Sequence, residues 1–226
     1  MLSFLNSANS YANNKLANYQ EHDIHGWRVM INKKVVNNNL LYQRLLKQLD
    51  QDLNEIADEI PEWALEYLQS TTIWFEKQLP PPFGNRFFFN GSKGLSKKYG
   101  IEHTYSGVIA GNTESYLAVA NLHPWQMLHE LTHAYHQFVN KHDYKPILDA
   151  YNNAINKDLH RFGSQYVRRN HKEYFSELTE SYFGLNSTYP KNRKELAEHD
   201  PVGYCAIVKA WGIVGSQTNN PPLLCN

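Results

Sequence analysis

Two histidines separated by three residues, in the segment His129-Glu130-Leu131-Thr132-His133, constrain this chain more than any other feature. Residues four apart lie one above the other on a helix face, so both imidazoles can reach a single metal ion. The glutamate between them can then accept a proton from a water molecule at the metal. The motif predicts a helix here, with His129 and His133 as zinc ligands and Glu130 as the general base.

The residues around the motif favour a helix over 124–140. Pro124 suits the first position of a helix, where its missing N–H costs nothing. Apolar side chains recur on one side of the segment, as a helix packed against a core requires. These side chains belong to Trp125, Leu128, Leu131 and Tyr135. The alternative is that His129 and His133 are ordinary surface or core histidines.

A catalytic zinc site has three protein ligands and one open position, and the chain offers two kinds of third ligand. His136 shares the face of His133, but a third ligand from the same helix would strain tetrahedral geometry. We therefore expect His136 to be a neighbour of the site. The pattern of the metzincins also fails at this point, because His136 and Val139 replace its glycine and its last histidine.

The other candidates are three glutamates, Glu173, Glu177 and Glu180, which would form one stripe on a helix. Like charges at this spacing repel each other, so a cation facing the stripe would explain it. Two alternatives remain open. Asn170 and Glu173 could form a capping box at the start of the helix, or the stripe could be an acidic face in solvent.

The two motifs together resemble the gluzincin metallopeptidases, in which H-E-x-x-H is followed by E-[FY]-F-[AS]-E. The second motif reads Glu173-Tyr174-Phe175-Ser176-Glu177 in this chain. The similarity is to the group of the anthrax lethal factor catalytic domain and the Pro-Pro endopeptidases, and it covers about 124–184.

This resemblance implies roles for three further residues. It implies that Glu173 is the third zinc ligand and that Glu177 supports the ligands, for example by accepting the free N–H of a ligand histidine. It also implies that Tyr166, seven residues before Glu173, stabilises the oxyanion. Glu180 is either a further supporting group or a structural residue. One departure is that Ser176 and Glu180 make this helix more polar than its counterpart.

The fold class predicted from the sequence is α+β. The resemblance implies a zincin-like metallopeptidase fold, with an N-terminal α+β lobe at about 21–123 and a mainly helical lobe at about 124–226. Both lobes belong to one domain, since 226 residues with 42% hydrophobic and 13% aromatic content suit a single core.

Periodicity and turn residues place the elements along the chain, after about twenty loosely ordered residues. Strands are expected at 27–32, 71–75, 107–110 and 116–120, and helices at 41–60, 61–68, 124–140, 146–158, 171–183, 191–198 and 201–214. Zincins bind a peptide along a sheet edge, and the strands 107–110 and 116–120 are our candidates for that edge.

Charge and hydropathy exclude some partners. Lys plus Arg and Asp plus Glu balance at 22 each, so no net field attracts nucleic acid or an anionic membrane. No apolar run is long enough for a membrane span, and the first twenty residues do not read as a Sec signal peptide. We therefore expect a cytoplasmic protein, one whose signal has been removed, or one exported by another route. Cys205 and Cys225 could pair or stay free.

The function expected from the sequence is hydrolysis of peptide bonds by a zinc-dependent peptidase, more specifically an endopeptidase, acting on a peptide or protein substrate. The alternative is a zincin-like zinc-binding module that cleaves nothing and acts through protein partners. A structural zinc site is disfavoured, because no cysteine lies near the motif. The oligomeric state stays open.

Overall fold

A single mixed sheet organises the fold, and helices cover it. The computed structural model describes residues 16–91, 106–161, 163, 165–213 and 225. Five strands are hydrogen-bonded in the order β1-β2-β3-β5-β4. Their bounds are Tyr19–Ile24 for β1, Trp27–Asn32 for β2, Ile73–Phe75 for β3, Phe87–Asn90 for β4 and Gly107–Ala110 for β5. The α+β class predicted from the sequence is therefore confirmed.

The centre of the sheet is parallel and both of its edges are antiparallel. Strands β2, β3 and β5 run parallel to one another, while β1 pairs with β2 and β4 pairs with β5 in the antiparallel sense. Strand β5 therefore has a partner on each side, and the prediction that 107–110 forms a substrate-binding edge is wrong. Among the described strands, the edge of the sheet nearest the motif is β4.

Nine α-helices and one π-helical turn lie within the described residues. They are α1 (Lys33–Val36), α2 (Asn39–Glu59), α3 (Glu62–Gln69), α4 (Thr113–Ala120), α5 (Gln126–Tyr135), the π turn (His136–Asn140), α6 (Lys145–Asn156), α7 (His171–Phe183), α8 (Arg193–His199) and α9 (Pro201–Ala210).

The segment 116–120 is helical, which corrects the prediction of a strand there. Asn112 caps helix α4, because its side-chain oxygen accepts a hydrogen bond from the backbone N–H of Ser115 at 2.8 Å. The Thr113 hydroxyl also donates to the carbonyl of Glu76 at 2.8 Å. These caps fix the first turn, and they outweigh the β-propensity of Tyr116 and Val119.

Strand β1 was not expected, because the sequence around Tyr19 has little hydrophobic periodicity. Its alternation is weak because, of its six residues, only Tyr19 is buried, so neither face forms an apolar stripe. Antiparallel pairing with β2 holds it in register from Tyr19–Asn32 to Ile24–Trp27, and Tyr19 packs edge to face on Trp74 at 5.3 Å. Pairing with the neighbouring strand thus defines a strand that the local sequence does not predict.

One hydrophobic core extends through both predicted lobes. Helix α2 contributes a stripe of buried leucines at helical spacing, and the final helix region contributes the fully buried Trp211. Members of this core run from Trp27 to Trp211, with Phe75, Leu128 and Phe175 between them. The helix carrying the motif therefore packs against the same core as the sheet.

The fold decides between the two alternatives left open for the cysteines. Cys205 in α9 forms a disulfide with Cys225, so the open question about the cysteines is answered by a bridge. None of the helices in the described part of the chain has both the length and the apolar character needed to cross a membrane.

Asp52 is a buried acid within the hydrophobic stripe of α2. It is 6% exposed, and it accepts hydrogen bonds from Gln48 at 2.8 Å and from the Tyr116 hydroxyl. Burial raises the pKa of Asp52 from 3.8 to about 6. The folded protein thus holds a proton here over a pH window in which the unfolded chain releases it, so unfolding becomes easier as the pH rises through that window.

We expect Asp52→Asn to remove this pH dependence. The stability of the variant relative to the native chain should increase by about 2 kcal/mol between roughly pH 4.5 and pH 8, since an amide has no proton to lose. Chemical denaturation at the two pH values measures this difference. Asp58→Asn, an exposed position on the same helix, serves as the control and should leave the pH dependence unchanged. A parallel pH dependence in Asp52→Asn and the native chain would contradict the assignment.

Candidate metal centre

Helices α5 and α7 carry the predicted site residues and pack directly against each other. Leu128 and Leu131 of α5 and Phe175 and Leu178 of α7 belong to the buried core. The end of α7 approaches the start of α5 closely at Gly184, where an added Cβ would overlap the ring of Trp125. Only glycine permits this approach, which fixes the spacing of the two helices.

Asn170 begins α7 and thereby places Glu173 in its first turn. The Asn170 side-chain oxygen accepts hydrogen bonds from the backbone N–H groups of Lys172 at 2.9 Å and Glu173 at 3.1 Å. Half of the capping box considered from the sequence is therefore present. The carboxylate of Glu173 is directed instead at the two histidines of α5.

The side chains of His129, His133 and Glu173 converge on one point. The Glu173 Oε2 atom lies 3.1 Å from His129 Nε2 and 3.4 Å from His133 Nε2. One potential ligand atom from each residue lies within 4.8 Å of the others. Two ligands that are each about 2.0–2.1 Å from a tetrahedral ion are separated by roughly 3.3–3.4 Å. The spacing and chemistry of these donors therefore fit a divalent cation such as zinc.

The outward nitrogens of both histidines are occupied by α7, which leaves the Nε2 atoms facing Glu173. His129 Nδ1 lies 2.6 Å from the Glu180 carboxylate, and His133 Nδ1 lies 3.3 Å from the Ser176 hydroxyl. A hydrogen bond at Nδ1 selects the tautomer whose lone pair is on Nε2, and it fixes the ring orientation. Contacts at both Nδ1 atoms thus turn both Nε2 atoms toward the carboxylate of Glu173.

Glu180 therefore makes the contact that was predicted for Glu177. The Glu177 carboxylate accepts a hydrogen bond from the Asn186 amide at 3.0 Å. One potential ligand atom of Glu177 also lies within 4.8 Å of those of His129 and Glu180, and these three residues form a second group that could hold a metal ion. The physical reason is the direction in which each side chain leaves the axis of α7. Glu180 lies two turns beyond Glu173 on the face toward α5, whereas Glu177 is drawn toward the loop that contains Asn186.

Glu177 and Glu180 are both buried, so the acidic stripe is not a face exposed to solvent. Burial raises the pKa of Glu180 to about 7, although its hydrogen bond with His129 acts in the opposite direction. Burial also favours the neutral form of Glu173, but the hydrogen bonds and charges of His129 and His133 outweigh it and lower the pKa of Glu173. Burial lowers the pKa of His129, yet Glu173 and Glu180 raise it well above its ordinary value.

Glu130 lies between the two histidines in the sequence of α5 and contacts strand β4 at the edge of the sheet. Its side chain is buried, and Oε2 accepts a hydrogen bond from the backbone N–H of Phe89 in β4 at 2.8 Å. Burial raises the pKa of Glu130, while the charges of His133 and His129 lower it. The sequence offered no signal for this contact, because it joins residues 41 positions apart.

A buried network of polar side chains connects the first turn of α7 to the start of α9. The hydroxyl of Tyr174, the residue next to Glu173, donates to Asp200 at 2.6 Å. Asp200 also lies 3.0 Å from His160 Nε2 and accepts the backbone N–H of Gly203 at 2.9 Å. These contacts fix the start of α9 against α7. Sequence reasoning missed this network, since its members are ordinary residue types without a diagnostic spacing.

His136 is a buried neighbour of the centre, as expected. It belongs to neither of the potential metal-binding groups found among the described residues. Its ring packs against Phe175 at 4.9 Å and His142 at 5.3 Å, and burial lowers its pKa to about 3. His123 lies 3.0 Å from the Ser187 hydroxyl, and His103 lies outside the described residues.

Tyr166 lies in the turn that precedes α7, and it is 57% exposed. Its carbonyl accepts the backbone N–H of Arg169 at 2.9 Å, and the Arg169 guanidinium is 6.0 Å from its ring. That the Tyr166 hydroxyl stabilises the oxyanion stays a prediction.

Comparison of the chain with protein-family models, with curated proteins and with solved structures gave no match. The resemblance to the gluzincins therefore rests on the motif residues alone.

We expect Glu180→Gln to weaken zinc binding about 10- to 100-fold, because the amide is a poorer partner for His129 Nδ1 than a carboxylate. Competition with a chromophoric chelator measures this affinity. Glu177→Gln is the matched control on the same helix and should have a smaller effect. Equal affinities for Glu180→Gln and the native chain would show that Glu180 does not orient His129.

Proposed function

We propose that this chain is a zinc-dependent peptidase with a zincin-like fold, and that it hydrolyses internal peptide bonds. The single observation that carries this proposal is the meeting of His129, His133 and Glu173 with Glu130 beside them. Three neutral or anionic donors, with the buried carboxylate of Glu130 on the same helix as two of them, suit a hydrolytic zinc centre. A structural zinc site would normally have four protein ligands.

The ligand residues would be His129 and His133 through Nε2 and Glu173 through its carboxylate. When bound, the zinc ion would supply a Lewis acid that polarises the peptide carbonyl and acidifies water. Glu180 and Ser176 hold the imidazoles in the required orientation from the opposite side. The protein thus contributes a preset donor geometry.

Glu130 would transfer the proton. Its Oε2 atom is held by the Phe89 N–H, which leaves Oε1 to accept a proton from the water that attacks the peptide carbonyl. As the new C–O bond forms and the C–N bond breaks, the same carboxyl group delivers that proton to the leaving amine. The Phe89 contact supports this role because it limits rotation of the carboxylate.

Strand β4, which is an edge strand among the described residues, is the better candidate for aligning a peptide. Phe88 and Asn90 are in register with Ile109 and Gly107, and the N–H of Phe89 is directed away from β5 toward Glu130. Alternate residues of an edge strand present their backbone groups outward. Because Glu130 holds the Phe89 N–H, an extended peptide would pair with the Phe89 carbonyl and with the backbone groups of Phe87. Such pairing would place the peptide backbone next to Glu130.

We expect the purified chain to bind about one zinc ion and to cleave members of an unstructured peptide library, which mass spectrometry detects. Glu130→Gln should retain the zinc and lose at least about 10²-fold in kcat/KM, because the base is removed and the ligands are kept. Metal analysis of both proteins provides the control.

Three outcomes separate the alternatives. A chain with no zinc affinity would overturn the metal centre. Equal activity in Glu130→Gln would remove Glu130 as the base. Zinc binding without cleavage by the native chain would favour the zinc-binding module that acts through partners.

The resemblance further implies a test of Tyr166. If its hydroxyl stabilises the oxyanion, Tyr166→Phe should lower kcat by about 10²–10³ while zinc affinity and KM remain close to native. Tyr189→Phe is a matched control, since Tyr189 is also exposed, at 47%. Steady-state kinetics on one peptide would decide the question, and an unchanged kcat in Tyr166→Phe would exclude the role.

A further inference from the structure

We propose that Phe89 and Phe138 form an apolar subsite, which binds a large hydrophobic side chain of a peptide substrate within about four residues of the scissile bond. This inference rests on the peptidase function proposed above and names its substrate class. The subsite is defined by these two rings.

The two rings meet at the point where the edge strand passes the end of the motif helix. Their centroids are 6.0 Å apart and their planes are nearly perpendicular, at 89°. Phe89 is half-buried against the core, while Phe138 is 58% exposed. The edge-to-face contact therefore leaves much of the Phe138 ring exposed next to β4, the last strand of the described sheet order.

A π-helical turn is responsible for the exposure of Phe138. In a continuous α-helix, Phe138 would lie on the same face as Ala134, which is buried. The chain instead forms a π turn over His136–Asn140, directly after α5. Such turns are rare, and they occur frequently at functional sites because they redirect side chains.

The position of Phe138 is fixed by a second contact with the edge strand region. The Gln137 amide donates to the carbonyl of Gly91 at 3.1 Å, and an added Cβ at Gly91 would overlap the Gln137 side chain. The π turn is thus tied to the residue that follows β4. This arrangement holds the exposed ring beside the edge without burying it.

The subsite is continuous with the catalytic position through Phe89. The backbone N–H of Phe89 binds Glu130, and its side chain contacts Phe138. Phe138 follows Glu130 by eight residues, which corresponds to about 12 Å along a helix axis. An extended peptide covers that distance in three to four residues. The apolar surface therefore extends from beside the scissile bond to a position three to four residues away.

The test uses the zinc-loaded full chain and an unstructured dodecapeptide library. From a cleaved sequence, two peptides are made that differ only in Phe or Ser at the position that shows apolar selection. We expect the native chain to prefer the Phe peptide about 10- to 100-fold in kcat/KM. In Phe138→Ala this ratio should fall about tenfold, and Phe138→Leu should retain most of it.

The control is Leu40→Ala, which removes an apolar side chain of α2 that is 72% exposed and should leave the ratio at its native value. Binding provides a readout that does not depend on turnover. Fluorescence anisotropy of the labelled Phe peptide should show tighter binding to Glu130→Gln than to the double variant Glu130→Gln/Phe138→Ala. Zinc content and thermal unfolding verify that the variants fold.

The results separate this inference from the proposed function. Cleavage without apolar selection, or a ratio that Phe138→Ala leaves unchanged, overturns the subsite while the peptidase proposal stands. A zinc-loaded native chain that cleaves no library member overturns the peptidase proposal, and the subsite with it.

Discussion

The arrangement of the candidate centre depends on His129, which α7 contacts through both of its ring nitrogens. Glu180 lies 2.6 Å from Nδ1 and Glu173 lies 3.1 Å from Nε2. Because these glutamates are two turns apart on one helix, the imidazole can satisfy both only if α5 and α7 keep one relative position. The close approach of Gly184 to Trp125 and the shared apolar core supply that position.

Burying so many polar groups requires that each has a partner. An unsatisfied buried donor or acceptor costs about 1–3 kcal/mol, and an uncompensated charge costs more. Three of the polar side chains of α7 near the centre have such partners. Glu180 contacts His129, Glu177 accepts from Asn186, and Tyr174 donates to Asp200. This explains how a helix whose residues 174–183 are all buried can carry two carboxylates besides Glu173.

The edge of the sheet connects the fold to the proposed chemistry. Strand β4 has a partner on one side only among the described strands, and its Phe89 N–H holds the carboxylate of Glu130. In the proposed function, this strand holds the base through the Phe89 N–H, pairs with an extended peptide and carries one ring of the subsite. A helix carboxylate that is held by the strand proposed to bind the peptide stays in register with that strand.

The sequence by itself determined the helical character of 124–140 and 171–183, the α+β class and the placement of His129 and His133 on one helix face, because helical spacing and caps such as Asn170 are local. That Glu173 joins them was implied only by the resemblance. The sequence did not determine which glutamate orients His129, that 116–120 is a helix, that β4 is an edge among the described strands, or that Cys205 and Cys225 pair. Each of these depends on contacts between residues far apart in the chain: Glu180 with His129, Thr113 with Glu76, and Phe89 with Glu130. Local periodicity specifies which face of an element is apolar, whereas only packing decides which neighbour that face meets.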